Sequence, residues 1–163
     1  MDFHNSSTVI IALIVSNIVS LFILWCSWKK PGIARFLFFL LFTWASFTNG
    51  SYSLTKPQVY IEYADFALLS MYKNFILGFF SQHITILVFT VAVSQFLIGV
   101  SMLMKGIIFR AGCWGGIIFL ISILPLGVGA ACPATLIIAA GLFLLQRKNI
   151  SNYLWQDGAK KLS

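Results

Sequence analysis

Four stretches of this chain carry no charged residue and are long enough to cross a lipid bilayer: 9–28, 36–55, 84–104 and 111–146. A spanning helix needs about 20 apolar residues, because each adds about 1.5 Å and the hydrocarbon layer is about 30 Å thick. Backbone inside lipid must hydrogen-bond to itself, which leaves helices as the structure for such segments. Only 9% of residues are charged and the mean hydropathy is +0.93, whereas a water-soluble domain is about 25% charged. These values exclude a soluble globule, a disordered chain and a secreted disulfide scaffold. The expected fold is all-α, a single polytopic integral membrane helix bundle over 1–163, with the lipid bilayer as its first partner.

The last stretch is too long for one crossing, since 111–146 as a straight helix would measure roughly 54 Å. Pro125, Gly127, Gly129 and Pro133 interrupt it and weaken helix continuity. Splitting it there gives about five transmembrane helices, near 9–28, 36–54, 84–104, 111–127 and 131–146. The alternative is one broken or strongly tilted fourth helix. The net charge of +7 comes in groups at the ends of these segments: Lys29, Lys30 and Arg35; Lys105 and Arg110; Arg147 and Lys148; Lys160 and Lys161. Bases gather on the cytoplasmic side of membrane proteins. Five crossings put all four groups there, with the N-terminus outside and 147–163 as a cytoplasmic tail. The expected place is a plasma membrane such as the bacterial inner membrane, and this placement of the bases argues against nucleic acid as a partner. Trp25, Trp28, Trp114 and Trp155 then fall at the inner boundary, and Tyr52, Tyr60, Tyr63 and Tyr72 at the outer one. The N-terminal run lacks a basic leader, carries Asp2 and stays apolar up to Lys29, which predicts a retained anchor and no secretory signal.

Between the second and third spans lie the only acids in the body of the chain, Glu62 and Asp65. At 100° per residue, Gln58, Glu62, Asp65, Ser70 and Lys73 share one sector, which predicts one amphipathic interfacial helix near 57–74. Trp44, Thr48 and Tyr52 repeat at every fourth residue of span two, with Asn49 beside them. His83 opens span three and Gln95 lies about three turns deeper. The candidate ligand-binding set is Trp44, Asn49, Tyr52, Glu62, Asp65, His83 and Gln95, in the outer half of the bundle. A carboxylate, a histidine and aromatic rings at that depth can bind a quinone head group or relay a proton. The structural alternative makes Glu62 and Asp65 a solvated stripe, His83 a helix start with Ser81 as its cap, and Gln95 an interhelical hydrogen bond. No catalytic motif occurs. No metal site is expected, since His4 and His83 stand alone and no C-x-x-C or H-x-x-H occurs. Asn5-Ser-Ser and Asn49-Gly-Ser match the short glycosylation acceptor pattern.

Gln95-Phe-Leu-Ile-Gly-Val-Ser-Met-Leu-Met-Lys-Gly, followed by Ile-Ile-Phe-Arg-Ala-Gly112, resembles the second helix of the DoxX-like family of small membrane proteins. Arg35-Phe-Leu-Phe-Phe-Leu-Leu-Phe-Thr-Trp resembles the start of that family's first helix. The resemblance implies a four-helix core over 35–146, with 9–28 as an addition and Gln95 where the family usually has Glu. It also implies an accessory role beside a quinone-linked or redox membrane complex. Two other functions stay open. One is a small oligomeric transporter or channel, for which the break at 125–133 speaks. The other is a structural or assembly protein without catalytic activity.

The orientation is testable on a chain lacking Cys26, Cys113 and Cys132. With Ser6→Cys and Ser163→Cys introduced singly, an impermeant thiol reagent is expected to label position 6 from outside and position 163 only from inside. Labelling of both ends from one side would overturn five crossings.

Overall fold

The computed structural model describes residues 6–159, and the elements in that range are helical. Helix α1 (Ser6–Lys29) and helix α2 (Pro31–Thr55) are separated by Lys30 alone. Proline explains both ends of α2. The ring of Pro31 drives Lys30 out of the helical region, to φ −137° and ψ 69°, and then opens the new helix where its missing N–H costs nothing. Pro57 acts in the same way on Lys56, at φ −145° and ψ 54°.

The outer segment that follows is not the single amphipathic helix expected over 57–74. It is divided into a 3-10 turn at Pro57–Tyr60, helix α3 (Tyr63–Phe66) and helix α4 (Ser70–Phe75). Between α3 and α4, Ala67 and Leu69 are extended, with ψ 123° and 129°. There the Leu68 N–H donates 2.8 Å to the Pro125 carbonyl, so a tertiary hydrogen bond displaces the local helical one. A wider π turn at Ile76–Phe80, kinked at Gly78, leads into helix α5 (Ile84–Ser101).

The uncharged run 111–146 is divided between two helices that pack on each other. Helix α6 (Gly106–Ile123) ends in a 3-10 turn at Leu124–Ala130, and helix α7 (Ala134–Gln146) follows. Gly127 and Ala131 in the connection have φ of 60° and 54°, and the Cys132–Pro133 peptide is cis. Four segments, Val9–Lys29, Pro31–Thr55, Ile84–Ser101 and Gly106–Gly127, are long and apolar enough to cross a membrane. Helix α7 has 13 residues and measures about 20 Å.

Among the described residues the longer helices pack as a ring in the order α1, α2, α5, α6, α7 and back to α1. Neighbours run antiparallel except at the closure, where the Lys148 Nζ, just beyond α7, donates 3.1 Å to the Trp28 carbonyl at the end of α1. An odd number of alternating helices must close on one parallel pair. The outside of the ring is apolar, with Phe47 at 77% and Ile107 at 81% exposure. The inside is apolar too, since Phe38, Phe42, Met102, Phe109, Leu142 and Leu145 are buried together. Such a bundle fits an integral membrane protein, whose outer surface meets lipid.

Arg35 closes the end of the bundle where α1 gives way to α2. It is fully buried, with its Nε donating 2.9 Å to the Met102 carbonyl and its Nη2 2.6 Å to that of Met104. Its Nη1 donates 3.3 Å to the Asn152 carbonyl, and its guanidinium lies 5.2 Å from the centre of the Phe109 ring. The residues after α7 are accordingly more than a tail. The Ile150 carbonyl accepts from the Gly106 N–H, the Leu154 N–H donates to the Leu103 carbonyl, and helix α8 (Leu154–Ala159) follows. Lys160 and Lys161 lie outside the described residues.

Arg35→Met leaves carbonyls from two segments without their donor, and Arg35→Lys cannot reach all three with one ammonium group. Unfolding in detergent is expected to show a loss of about 2–4 kcal/mol for the methionine variant and a smaller loss for lysine. Equal stability of all three proteins would refute the clamp.

Candidate functional site

The ring holds a cavity toward the end opposite Arg35. This cavity, of about 260 Å³, lies between α2, the outer segment, α5, α6 and the Leu124–Ala130 turn. Most of its wall is apolar: Phe75, Ile76, Phe80, Val88, Val91, Phe119 and Ile123. Its polar groups are Asn49, Gln95, Tyr60, Tyr63, Tyr72 and Ser122.

The antiparallel packing of α2 against α5 sets the polar end. The Ser46 Oγ donates 2.7 Å to the Ala92 carbonyl. One turn further out on α2 the Asn49 Nδ2 donates 2.8 Å to the Gln95 Oε1. Gln95 is only 4% exposed, because it occupies the stripe of α5 that also buries Ile84, Val88, Ile98 and Met102. Tyr60 reaches down from the outer segment and its hydroxyl donates 2.8 Å to the Asn49 Oδ1. Tyr63 stacks on Tyr60 with ring centres 5.9 Å apart. Gly129 admits that stack, since a Cβ there would fall 2.4 Å from the Tyr63 ring. On the far side, the Tyr72 hydroxyl donates 2.8 Å to the Ser122 carbonyl.

Burial, followed by the neighbouring Tyr63 and Tyr52, pushes the Tyr60 phenol up to about 12. Tyr63 is pushed up by burial, then by the Glu62 carboxylate and by Tyr52. Both hydroxyls therefore stay neutral near pH 7.

Of the seven residues proposed from sequence, the structure brings Asn49 and Gln95 to the cavity wall. Trp44 is 67% exposed on the outside of the bundle. The face repeated every fourth residue on α2 points outward, and Asn49, one residue round, points inward. Tyr52 is half-exposed beside the tyrosine pair. Glu62 and Asp65 are exposed, and no hydrogen bond or ion pair joins Glu62 to His83 among the described residues. The exposed His83 stacks on Phe79 at 4.6 Å, with Nδ1 3.0 Å from the Phe79 carbonyl. His83 itself is the N-cap residue of α5, and Ser81 bonds back to the Leu77 and Gly78 carbonyls instead of capping. The Asn49 glycosylation pattern falls inside a helix, with its carboxamide bonded at both ends. Asn5 lies outside the described residues.

Tyr60, Tyr63 and Tyr72 enter the site as cavity walls, although their sequence positions mark them only as belt aromatics. Their spacing offers one legible clue, since Tyr60 and Tyr63 are one helical turn apart. Among the described residues no three of His, Cys, Asp and Glu gather as metal ligands. Family models, curated proteins and solved structures provide no match to the chain.

The tyrosine pair makes a pH prediction. A phenol held at about 12 keeps a proton that the unfolded chain releases near 10, so folding stability is intact below pH 10 and falls as pH rises towards 12. Thermal unfolding followed across that window is expected to show the decline, and Tyr60→Phe is expected to flatten it. An unchanged slope in Tyr60→Phe would refute the assignment.

Proposed function

We propose that this is a membrane protein of five spans that holds a lipid-soluble amphiphile in its outer cavity. It works there as an accessory subunit beside a quinone-linked or redox partner. The observation that carries this is the cavity itself, an apolar chamber with one hydrogen-bonding end, which is the usual make-up of a small-molecule site. The fifth crossing is α7 together with the connection before it. Its support is that Lys29, Lys30, Arg35, Lys105, Arg147 and Lys148 all lie toward the end of the bundle where Arg35 and the residues after α7 meet. With that end read as cytoplasmic by its bases, in a bacterial inner membrane, the cavity falls in the outer leaflet. The DoxX-like resemblance of 35–44 and 95–112 supports the redox association by analogy.

A transporter is the second candidate, because the broken segment Leu124–Ala130 supplies Leu126, Gly129 and Ala130 to the cavity wall and discontinuous helices line transport sites. Purification of the tagged full chain in mild detergent separates the two. Recovery of a redox enzyme in fixed ratio is the expected result. Recovery only of further copies of the chain would favour the transporter and overturn the accessory role.

A further inference from the structure

The cavity's polar end has a direction. Tyr60 commits its hydrogen to the Asn49 Oδ1, and the Asn49 Nδ2 commits one of its own to the Gln95 Oε1. Each carboxamide oxygen thereby accepts one hydrogen bond, and the chain of donors ends on the Gln95 Nε2. Among the described residues neither N–H of that nitrogen has an acceptor, although the side chain is 96% buried and lines the cavity. The hydrogens of two other hydroxyls nearby are already donated, that of Tyr72 to the Ser122 carbonyl and that of Ser122 to the Ile118 carbonyl. The residues lining the cavity include no Lys or Arg.

We infer that the cavity takes a molecule with an apolar body whose head is a carbonyl oxygen, seated on the Gln95 carboxamide N–H groups. The inference rests on the cavity being an amphiphile site and adds the chemical class of its occupant. A carbonyl supplies an acceptor to an amide N–H group that opens on a mostly apolar cavity. An ammonium head has no lone pair to offer these N–H groups and brings a charge that no lining carboxylate offsets. A carboxylate brings a charge that no lining cation offsets. The volume, just below the range of drug-sized sites, admits a ring or an ester head and leaves a long tail in lipid. A quinone ring and an acyl ester both present such a carbonyl.

Titration of the purified full chain in dodecyl maltoside with three probes tests this. They are menadione carrying an octyl chain at its free ring carbon, octyl benzoate, and octylnaphthalene as the hydrocarbon control. At least one carbonyl probe is expected to bind about tenfold or more tighter than octylnaphthalene. Gln95→Leu is expected to erase that preference and keep the hydrocarbon affinity. The tighter of the two carbonyl probes identifies the source as a quinone or an ester. A second measurement needs no variant: the infrared carbonyl stretch of the bound probe is expected at lower frequency than in empty detergent micelles. Equal binding of all three probes, or an unshifted stretch, overturns the carbonyl assignment while the amphiphile cavity stands. Failure of all three to bind overturns both.

Discussion

The end of the bundle where α1 gives way to α2 depends on a cation whose alternatives are worse. The Arg35 guanidinium is out of reach of solvent, and the carbonyls it occupies sit where α5 has run out of its own N–H donors. The last carbonyls of a helix need partners, and in a lipid-facing bundle water is not freely available to provide them. A planar group with five donors can serve several such oxygens at once. Arg35 does so for both the end of α5 and the chain beyond α7. The Phe109 ring against its face adds a contact that asks for no counter-charge.

Around that clamp lies much of the buried apolar cluster, and toward the other end lies the cavity. Phe38, Phe42 and Phe109 fill the inner space with rings between small neighbours such as Ala34 and Ala139. In the outer half the chain turns over the bundle in short pieces, each fixed by a bond to a different element: Tyr60 to α2, Leu68 to the turn after α6, Tyr72 to α6. Pieces held at separate points span a gap that a single straight helix would have covered or filled. The hollow is therefore a product of how the outer segment is tied down.

Much of the architecture is legible in the sequence because lipid permits so few choices. Absence of charge marks the helices, proline marks both ends of α2, and the cluster at 125–133 marks the turn between α6 and α7. The outer segment was less legible. Its polar sector is real in the arithmetic, but the Leu68 to Pro125 hydrogen bond belongs to a contact far along the chain, and periodicity carries no record of that. Arg35 reads as an ordinary loop base because nothing local says that the loop will be covered. Within the candidate site, Asn49 and Gln95 were found as polar residues in apolar helices, a rarity that marks a position on its own. Glu62 and His83 suggest a site by their chemistry alone, and no hydrogen bond or ion pair joins them among the described residues.

The closure of the ring has a consequence for how the molecule is made. Helix α1 is the first of the described helices to leave the ribosome, and on one side its neighbour is α7, the last of the five to appear. Leu24 and Ser27 of α1 lie against Gly141, and the end of α1 meets Lys148. Until α7 arrives, α1 has one flank without its native cover, even though α2 lies beside it. The seam between α1 and α7 joins the two ends of the ring in chain order, so α1 gains its full native cover only once the last of the five long helices has been made.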